Sequence, residues 1–246
     1  MTEQAPEPYE HVDEDWQTAV AIVAHPDDME YGGASAVARW TSQGKKVIYV
    51  MVTSGEAGID SMHPEECGPL REAEQIASAR VVGVETVEFL GYPDGVVEYG
   101  LPVRRDIARV VRRHRPEIVI TSNFRETYGG AFLNQADHIA VGRATLDGVR
   151  DAGNRWVFRE LVDEGHEPWN GVRQIWAAAS PESKHAVDTT DTFDVGVASL
   201  EEHKAYLAGL GGAMADAREF LEGFGRGAGT RLGTRFAVPF EVFPLR

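Results

Sequence analysis

TAVAIVAHPDDMEYGG, residues 18 to 33, sets a short apolar run directly against a turn carrying one histidine and three carboxylates. Thr18 to Ala24 is too short and too rich in valine and isoleucine for a helix, and it reads as a buried strand. Helical spacing resumes after Gly32 and Gly33 and continues to Gln43, where Gly44 supplies a stop. Lys46 to Ser54 is a second strand. Strand, helix and strand in that order form the unit of a parallel sheet.

The alternation continues outward from this unit. Leu70 to Val82 has helical spacing closed by Gly83, and Glu85 to Gly91 reads as a third strand. Tyr92-Pro93-Asp94-Gly95 is a turn sequence. A helix over Val103 to His114 leads through Pro116 into a strand over Glu117 to Asn123, and a further helix is predicted from about Gln135 to Arg150. Past Asn154 the pattern loosens, with a strand over Val172 to Ala178 and one helix over Phe193 to Leu210. The last segment, FAVPFEVFPL at 236 to 245, is apolar but broken by prolines, so it is expected on a sheet edge. The predicted fold is α/β, a Rossmann-like three-layer sandwich with a mostly parallel sheet and an elaborated C-terminal third. Residues 1 to 15, acidic and proline-broken, are expected to form a flexible arm, and residues 16 to 246 a single domain.

Lys plus Arg number 24 against 39 Asp plus Glu, a formal charge of −15. Such a field repels polyphosphates, so neither nucleic acid nor an anionic membrane is the expected partner. One cysteine, Cys67, excludes an intramolecular disulfide and any Cys-rich zinc module, so a metal must be held by histidines and carboxylates. The acidic start lacks the basic and apolar regions of a secretion signal, and the apolar runs fall well short of the roughly 20 residues that cross a bilayer. A cytoplasmic location is expected. The apolar final segment leaves a homo-oligomer open.

Ligands of open α/β sheets bind outside the carboxyl ends of the strands, where His25, Asp27 and Asp28 fall. Capping of the next helix by an aspartate accounts for one acid, not for a histidine and three acids together. A second cluster, Asn134-Gln135-Ala136-Asp137-His138, also follows a strand and its loop. Catalytic zinc sites keep three protein ligands and one open position, and His25, Asp28 and His138 supply three of suitable type. Asp137 is placed to orient a ligand histidine, or else to serve as a first-turn helix acid. Tyr128, Phe132, Trp156, Phe158 and Trp169 read as core, as subunit contacts, or as a wall for a sugar or acyl group.

AHPDDME at 24 to 30, TSGEAG at 53 to 58, LREAEQIASARVVGV at 70 to 84, LGYPDG at 90 to 95 and ADH at 136 to 138 resemble the LmbE-like (PIG-L) deacetylases. ASLEEHKAYL at 198 to 207 looks like that family's C-terminal helix. The resemblance covers about residues 18 to 152. It implies a Rossmann-like sheet, a Zn2+ cofactor and hydrolysis of an N-acylated amino sugar or related amide. Carried over residue by residue, it makes His25, Asp28 and His138 the metal ligands and Asp27 the general base. It places Arg71 and Asp94 at substrate-contacting positions, with Glu56 a further loop acid that could contact the ligand. Two departures stand out. The family pattern His-Pro-Asp-His reads here Gln135-Ala136-Asp137-His138, so the position of the family's acid histidine cannot titrate. Met29 also precedes Glu30, where many members carry the glutamate directly after the acids.

These residues predict metal-assisted amide hydrolysis, in which Asp27 takes the proton of the attacking water and returns it to the leaving amine. That scheme tolerates Gln135, which keeps a hydrogen-bond donor; alternatively His203 supplies the acid. Competing readings are a thiol-conjugate amidase of the same family, a catalytically impaired metal-binding relative, and a nucleotide-binding Rossmann module. The last is opposed by the absence of GxGxxG and by acids that would repel a pyrophosphate.

Overall fold

A computed structural model describes residues 7–130 and 132–245. Its centre is β2 (Thr18–Val23), hydrogen-bonded in parallel to β3 (Lys46–Met51) on one side and to β5 (Ile118–Ser122) on the other. Alternate side chains of β2 divide between two cores. Ala19, Ala21 and Val23 face α2 (Ala34–Ser42) and α3 (Pro64–Val81), while Val20, Ile22 and Ala24 face α4 (Leu101–His114) and α5 (Ala136–Ala152). A strand buried on both faces must be apolar throughout, which is why it reads as a continuous run rather than an alternating one. Helices on both faces of the sheet make the three layers.

With β4 (Thr86–Phe89), β6 (Gln174–Ala178), β7 (His185–Asp188), β8 (Ala237–Pro244) and a short β1 (Glu10–His11), the strand order is β1-β7-β8-β6-β5-β2-β3-β4. All neighbours are parallel except across β8, which is antiparallel to both β6 and β7. The expectation of an edge for residues 236 to 245 is therefore corrected, because this segment lies inside the sheet. Its prolines fit there because Pro239 falls opposite Ala186 and Pro244 at the strand end. Phe240 joins Trp40 and Trp176, at ring separations of 6.0 and 5.7 Å, in an aromatic cluster that anchors β8.

Other boundaries shift for local reasons. The helix expected from Leu70 begins at Pro64, since proline at the first helical position sacrifices no hydrogen bond and the His63 ring accepts from the Glu65 N–H. The single helix expected over Phe193 to Leu210 is two, α7 (Phe193–Leu200) and α8 (Lys204–Gly209), parted at Glu201 to His203. The break lets the His203 side chain turn inward, where it is fully buried. α1 (Asp28–Gly32), α6 (Arg159–Asp163), α9 (Ala217–Leu232) and a 3-10 turn at Gly212–Ala215 complete the described elements.

Of the arm expected over residues 1 to 15, residues 1 to 6 lie outside the described residues. The remainder is docked on the body. Glu10 and His11 pair with His185 and Ala186, and the Glu14 carboxylate accepts from Arg39 and from the Trp40 indole N–H at 2.6 Å. Glu14, one of the acids that suggested a loose segment, is held by partners from another part of the chain. No helix among the described residues is long and apolar enough to cross a membrane.

Candidate metal centre

The chain leaves β2 for β3 on one side and later returns through β5 on the other, so the crevice between β2 and β5 is a switch point where a ligand can enter. His25 follows β2, and His138 stands in the first turn of α5 after the loop from β5. Their rings converge, with His25 Nδ1 3.1 Å from His138 Nε2. Asp28 Oδ1 lies 2.9 Å from the same His138 nitrogen. The other oxygen, Asp28 Oδ2, accepts from the Ala24 and His25 backbone N–H groups at 2.9 Å each, which fixes the carboxylate with Oδ1 toward the rings.

Two imidazole nitrogens at this separation either share a proton or face a common cation. Nitrogens bound tetrahedrally to zinc would stand about 3.3 Å apart, given Zn–N bonds of about 2.0 to 2.1 Å. The three donor atoms lie within 4.8 Å of one another. The residues therefore fit a divalent ion of zinc type.

The outer ring nitrogens are also partnered. His25 Nε2 meets Asp94 Oδ1 at 3.0 Å and Asp137 Oδ2 at 3.3 Å. Asp137 is itself held by the Gly95 and Val97 N–H groups at 2.7 and 3.0 Å, and Asp94 Oδ2 accepts from the Ala57 N–H at 2.9 Å. His138 Nδ1 stands 2.9 Å from Asn134 Oδ1 and 2.8 Å from the Tyr128 hydroxyl. Asn134 donates to the Asn123 and Arg125 carbonyls, so its oxygen is the atom turned to the ring. Such partners fix the orientation and basicity of ligand histidines.

Electrostatics follow from this crowding. Burial lowers the affinity of His25 for a proton, but hydrogen bonds to Asp137 and Asp94 and the charge of Asp28 outweigh it, raising its pKa to about 10 in the metal-free chain. Burial opposes the charge on Asp28, yet His138 and His25 hold its carboxyl well below the usual range. For Asp27 burial wins: its carboxyl is pushed up to about 6 against the pull of Arg71. Asp27 adopts a left-handed backbone, φ 89° and ψ −20°, a conformation that costs a non-glycine residue about 1 kcal/mol or more.

The remaining predicted site residues fall in unequal places. Arg71 is buried, its guanidinium donating to Asp27 Oδ2 and the Pro26 carbonyl at 2.6 Å each and to the Gly55 carbonyl at 3.0 Å. Gly55 has φ +63°, and a Cβ there would fall 2.4 Å from Arg71 Nη1, so glycine makes room for the guanidinium. Arg71 thus grips the turn that carries Asp27. Asp94 likewise faces His25 rather than the open crevice. Glu56 accepts from the Asp94 N–H at 2.9 Å and supports the same turn. Gln135 is exposed and its side chain caps nothing. His203 is fully buried beside Glu30, with Nε2 3.6 Å from Oε2. Of the aromatics, Phe158 and Trp169 pack on the core, Phe132 and Trp156 are exposed, and Tyr128 reaches His138.

Sequence reasoning passed over Gln75, Ser78 and Tyr206. Gln75 accepts from the Asp27 N–H at 2.9 Å, Ser78 and Gln75 both donate to Glu30, and the Tyr206 ring lies 4.1 Å from the Arg71 guanidinium carbon. A signal existed. Arg71, Gln75 and Ser78 share one face of α3 at spacings of four and three, and that face is buried.

The profile of the GlcNAc-PI de-N-acetylase family, PIG-L, matches residues 20–149, just over half of the chain and the whole of the segment that builds the site. The chain belongs to the PIG-L family. This PIG-L member is 25% identical over 193 residues to the diacetylchitobiose deacetylase of Thermococcus kodakarensis, covering 78% of this chain and 70% of that protein. Three further curated relatives are matched over 57%, 63% and 51% of their own length. In structure it is similar to the N,N'-diacetylchitobiose deacetylase of Pyrococcus horikoshii, with a TM-score of 0.85, 24% identity, and coverage of 94% of this chain and 85% of that one. The 4-carboxy-2-hydroxymuconate hydratase of Pseudomonas putida KT2440 shares the fold at a TM-score of 0.74 and 18% identity, covering 94% and 97%. The fold is therefore common to more than one chemistry, and the site must decide between them.

Proposed function

We propose that this chain is a zinc-dependent amide hydrolase that removes an acetyl group from the nitrogen of an N-acetylated amino sugar. The observation that carries the reading is the convergence of His25 Nδ1, His138 Nε2 and Asp28 Oδ1 on one point, beside the buried carboxyl of Asp27. A zinc ion held by these three atoms supplies Lewis acidity to the amide carbonyl and to water. The chain's own part begins at Asp27. In the metal-free chain burial pushes its carboxyl up to about 6, which makes it a stronger base than an ordinary carboxylate and suits it to accept the proton of an attacking water.

Arg71 holds Asp27 through Oδ2, which leaves Oδ1 for that proton and fixes the direction from which it arrives. The same oxygen returns the proton to the departing nitrogen, which frees the amine. Gln135, exposed at the start of α5, takes no part in this proton cycle. Asp94 and Asp137 act through His25. The substrate class rests on the diacetylchitobiose deacetylase relatives, and the acidic surface suits a neutral sugar better than a phosphorylated one. A cytoplasmic site of action belongs to the same reading, in keeping with the single buried thiol of Cys67.

The test pairs zinc stoichiometry with release of primary amine from N,N'-diacetylchitobiose. One zinc per chain with amine release, and loss of release in Asp27→Asn with zinc retained, is expected. Zinc-loaded protein that frees no amine across a panel of N-acetyl sugars would favour the impaired, metal-binding relative instead.

A further inference from the structure

Behind the turn that carries Asp27 lies a buried polar chain that plays no part in holding a metal. Gln75, wholly buried on α3, uses both ends of its amide. Its Oε1 accepts from the Asp27 backbone N–H at 2.9 Å, and its Nε2 donates to Glu30 Oε1 at 2.9 Å. The same Glu30 oxygen accepts from the Ser78 hydroxyl at 2.8 Å, and Ser78 meets the Ser199 hydroxyl of α7 at 2.8 Å. Glu30 Oε2 has no hydrogen-bond partner among the described residues and faces His203 Nε2 at 3.6 Å. A buried amide can be turned either way round, and the partner on its far side decides which. Glu30, an acceptor, requires the Gln75 NH2 group, and this leaves the Gln75 oxygen pointing at Asp27.

Asp27 needs that oxygen. Its backbone is left-handed at φ 89°, a state that a non-glycine residue keeps only when its surroundings impose it. Arg71 holds the carboxylate and the Pro26 carbonyl, the Tyr31 N–H donates to the Asp27 carbonyl, and Gln75 alone of these takes the Asp27 N–H. We propose that Gln75 is a positioning residue for the hydrolysis: oriented by Glu30, it holds the Asp27 backbone in its left-handed state and so aims the carboxylate beside the metal ligands. This rests on the hydrolase reading for its consequence in turnover, but the backbone lock stands independently of it.

The experiment uses the full chain in four forms: Gln75→Leu, Gln75→Glu, Glu30→Gln, and the last two combined. Four quantities are read, namely zinc content, kcat and KM on N,N'-diacetylchitobiose, and hydrogen exchange of the Asp27 amide. For Gln75→Leu the expected result is zinc content and KM within twofold of the parent, kcat down at least tenfold, and Asp27 amide exchange at least tenfold faster. Gln75→Glu alone sets two carboxylates against each other and is expected to lose kcat similarly. The combined exchange restores one donor and one acceptor with the direction reversed, position 30 now donating to position 75, which keeps a carboxylate oxygen for the Asp27 N–H; it is expected to recover kcat and Asp27 protection to within threefold of the parent. A merely structural role would lower the melting temperature and leave kcat per zinc unchanged, and that result overturns the proposal. So does a combined variant no better protected at Asp27 than Gln75→Glu alone, which also decides the matter if Gln75→Leu does not fold. Asp27 exchange is read whether or not the sugar turns over, so failure of the lock and failure of the deacetylase reading are separable.

Discussion

The two imidazoles of the centre are backed in different ways. His25 has two carboxylates behind it, Asp94 and Asp137, each tied down by backbone N–H groups. Behind His138, on its outer nitrogen Nδ1, stand only neutral groups, Asn134 and the Tyr128 hydroxyl. A carboxylate behind an imidazole makes it a stronger donor to a metal and holds its orientation, whereas a neutral acceptor mainly fixes which nitrogen carries the proton. One half of the centre is backed by charge and the other by neutral hydrogen-bonding groups, next to the exposed Gln135.

The bluntest way to break the contrast is to remove a ligand from each half. His25→Ala and His138→Ala should both take zinc content from one per chain to below a tenth, measured by metal analysis after dialysis; retention by either would refute the three-ligand centre. The finer test removes the backing. Asp137→Asn should weaken zinc binding about 10- to 100-fold. Tyr128→Phe, which leaves Asn134 in place, should weaken it less than threefold in the same competition titration against a chelator, and equal losses would erase the distinction drawn here.

Acidity sharpens it further. In the metal-free chain the raised pKa of His25 contributes stability that is complete below about pH 6.5, the ordinary histidine value, and is lost as the pH rises through about 10. Thermal melts of zinc-free protein should therefore fall across that window. Asp137→Asn should flatten the fall, since it removes part of the cause, and an unchanged slope would count against it. The smallest effect belongs to the rim: Gln135→Ala should alter turnover by less than threefold, because its side chain is exposed and caps nothing.

Much of this was legible from residue order alone. The Thr18 to Ala24 run, the acids after it and the Asp137-His138 pair indicated a parallel sheet with a metal site at its carboxyl edge. The backing of the histidines was not, because Asp94, Asp137, Tyr128 and Asn134 come from separate loops whose meeting depends on the strand order. The setting of Arg71 was hidden for a related reason, since the buried niche that Gly55 clears for its guanidinium depends on how two distant loops meet. The interior place of β8 was hidden too, since its prolines argue for an edge unless Ala186 is known to lie opposite Pro239.

That late strand has a consequence for the order of synthesis. β7 and, through it, β1 join the rest of the sheet by way of Ala237–Pro244, a segment made after nearly everything it connects. While the chain is still emerging from the ribosome, the strands that carry His25 and the loop to His138 can already pair, but the outer strands have nothing to dock on. A nascent chain should thus acquire its metal-binding crevice before its sheet is whole, and a chain cut short at about residue 236 should keep the crevice while leaving Glu10–His11 and His185–Asp188 adrift.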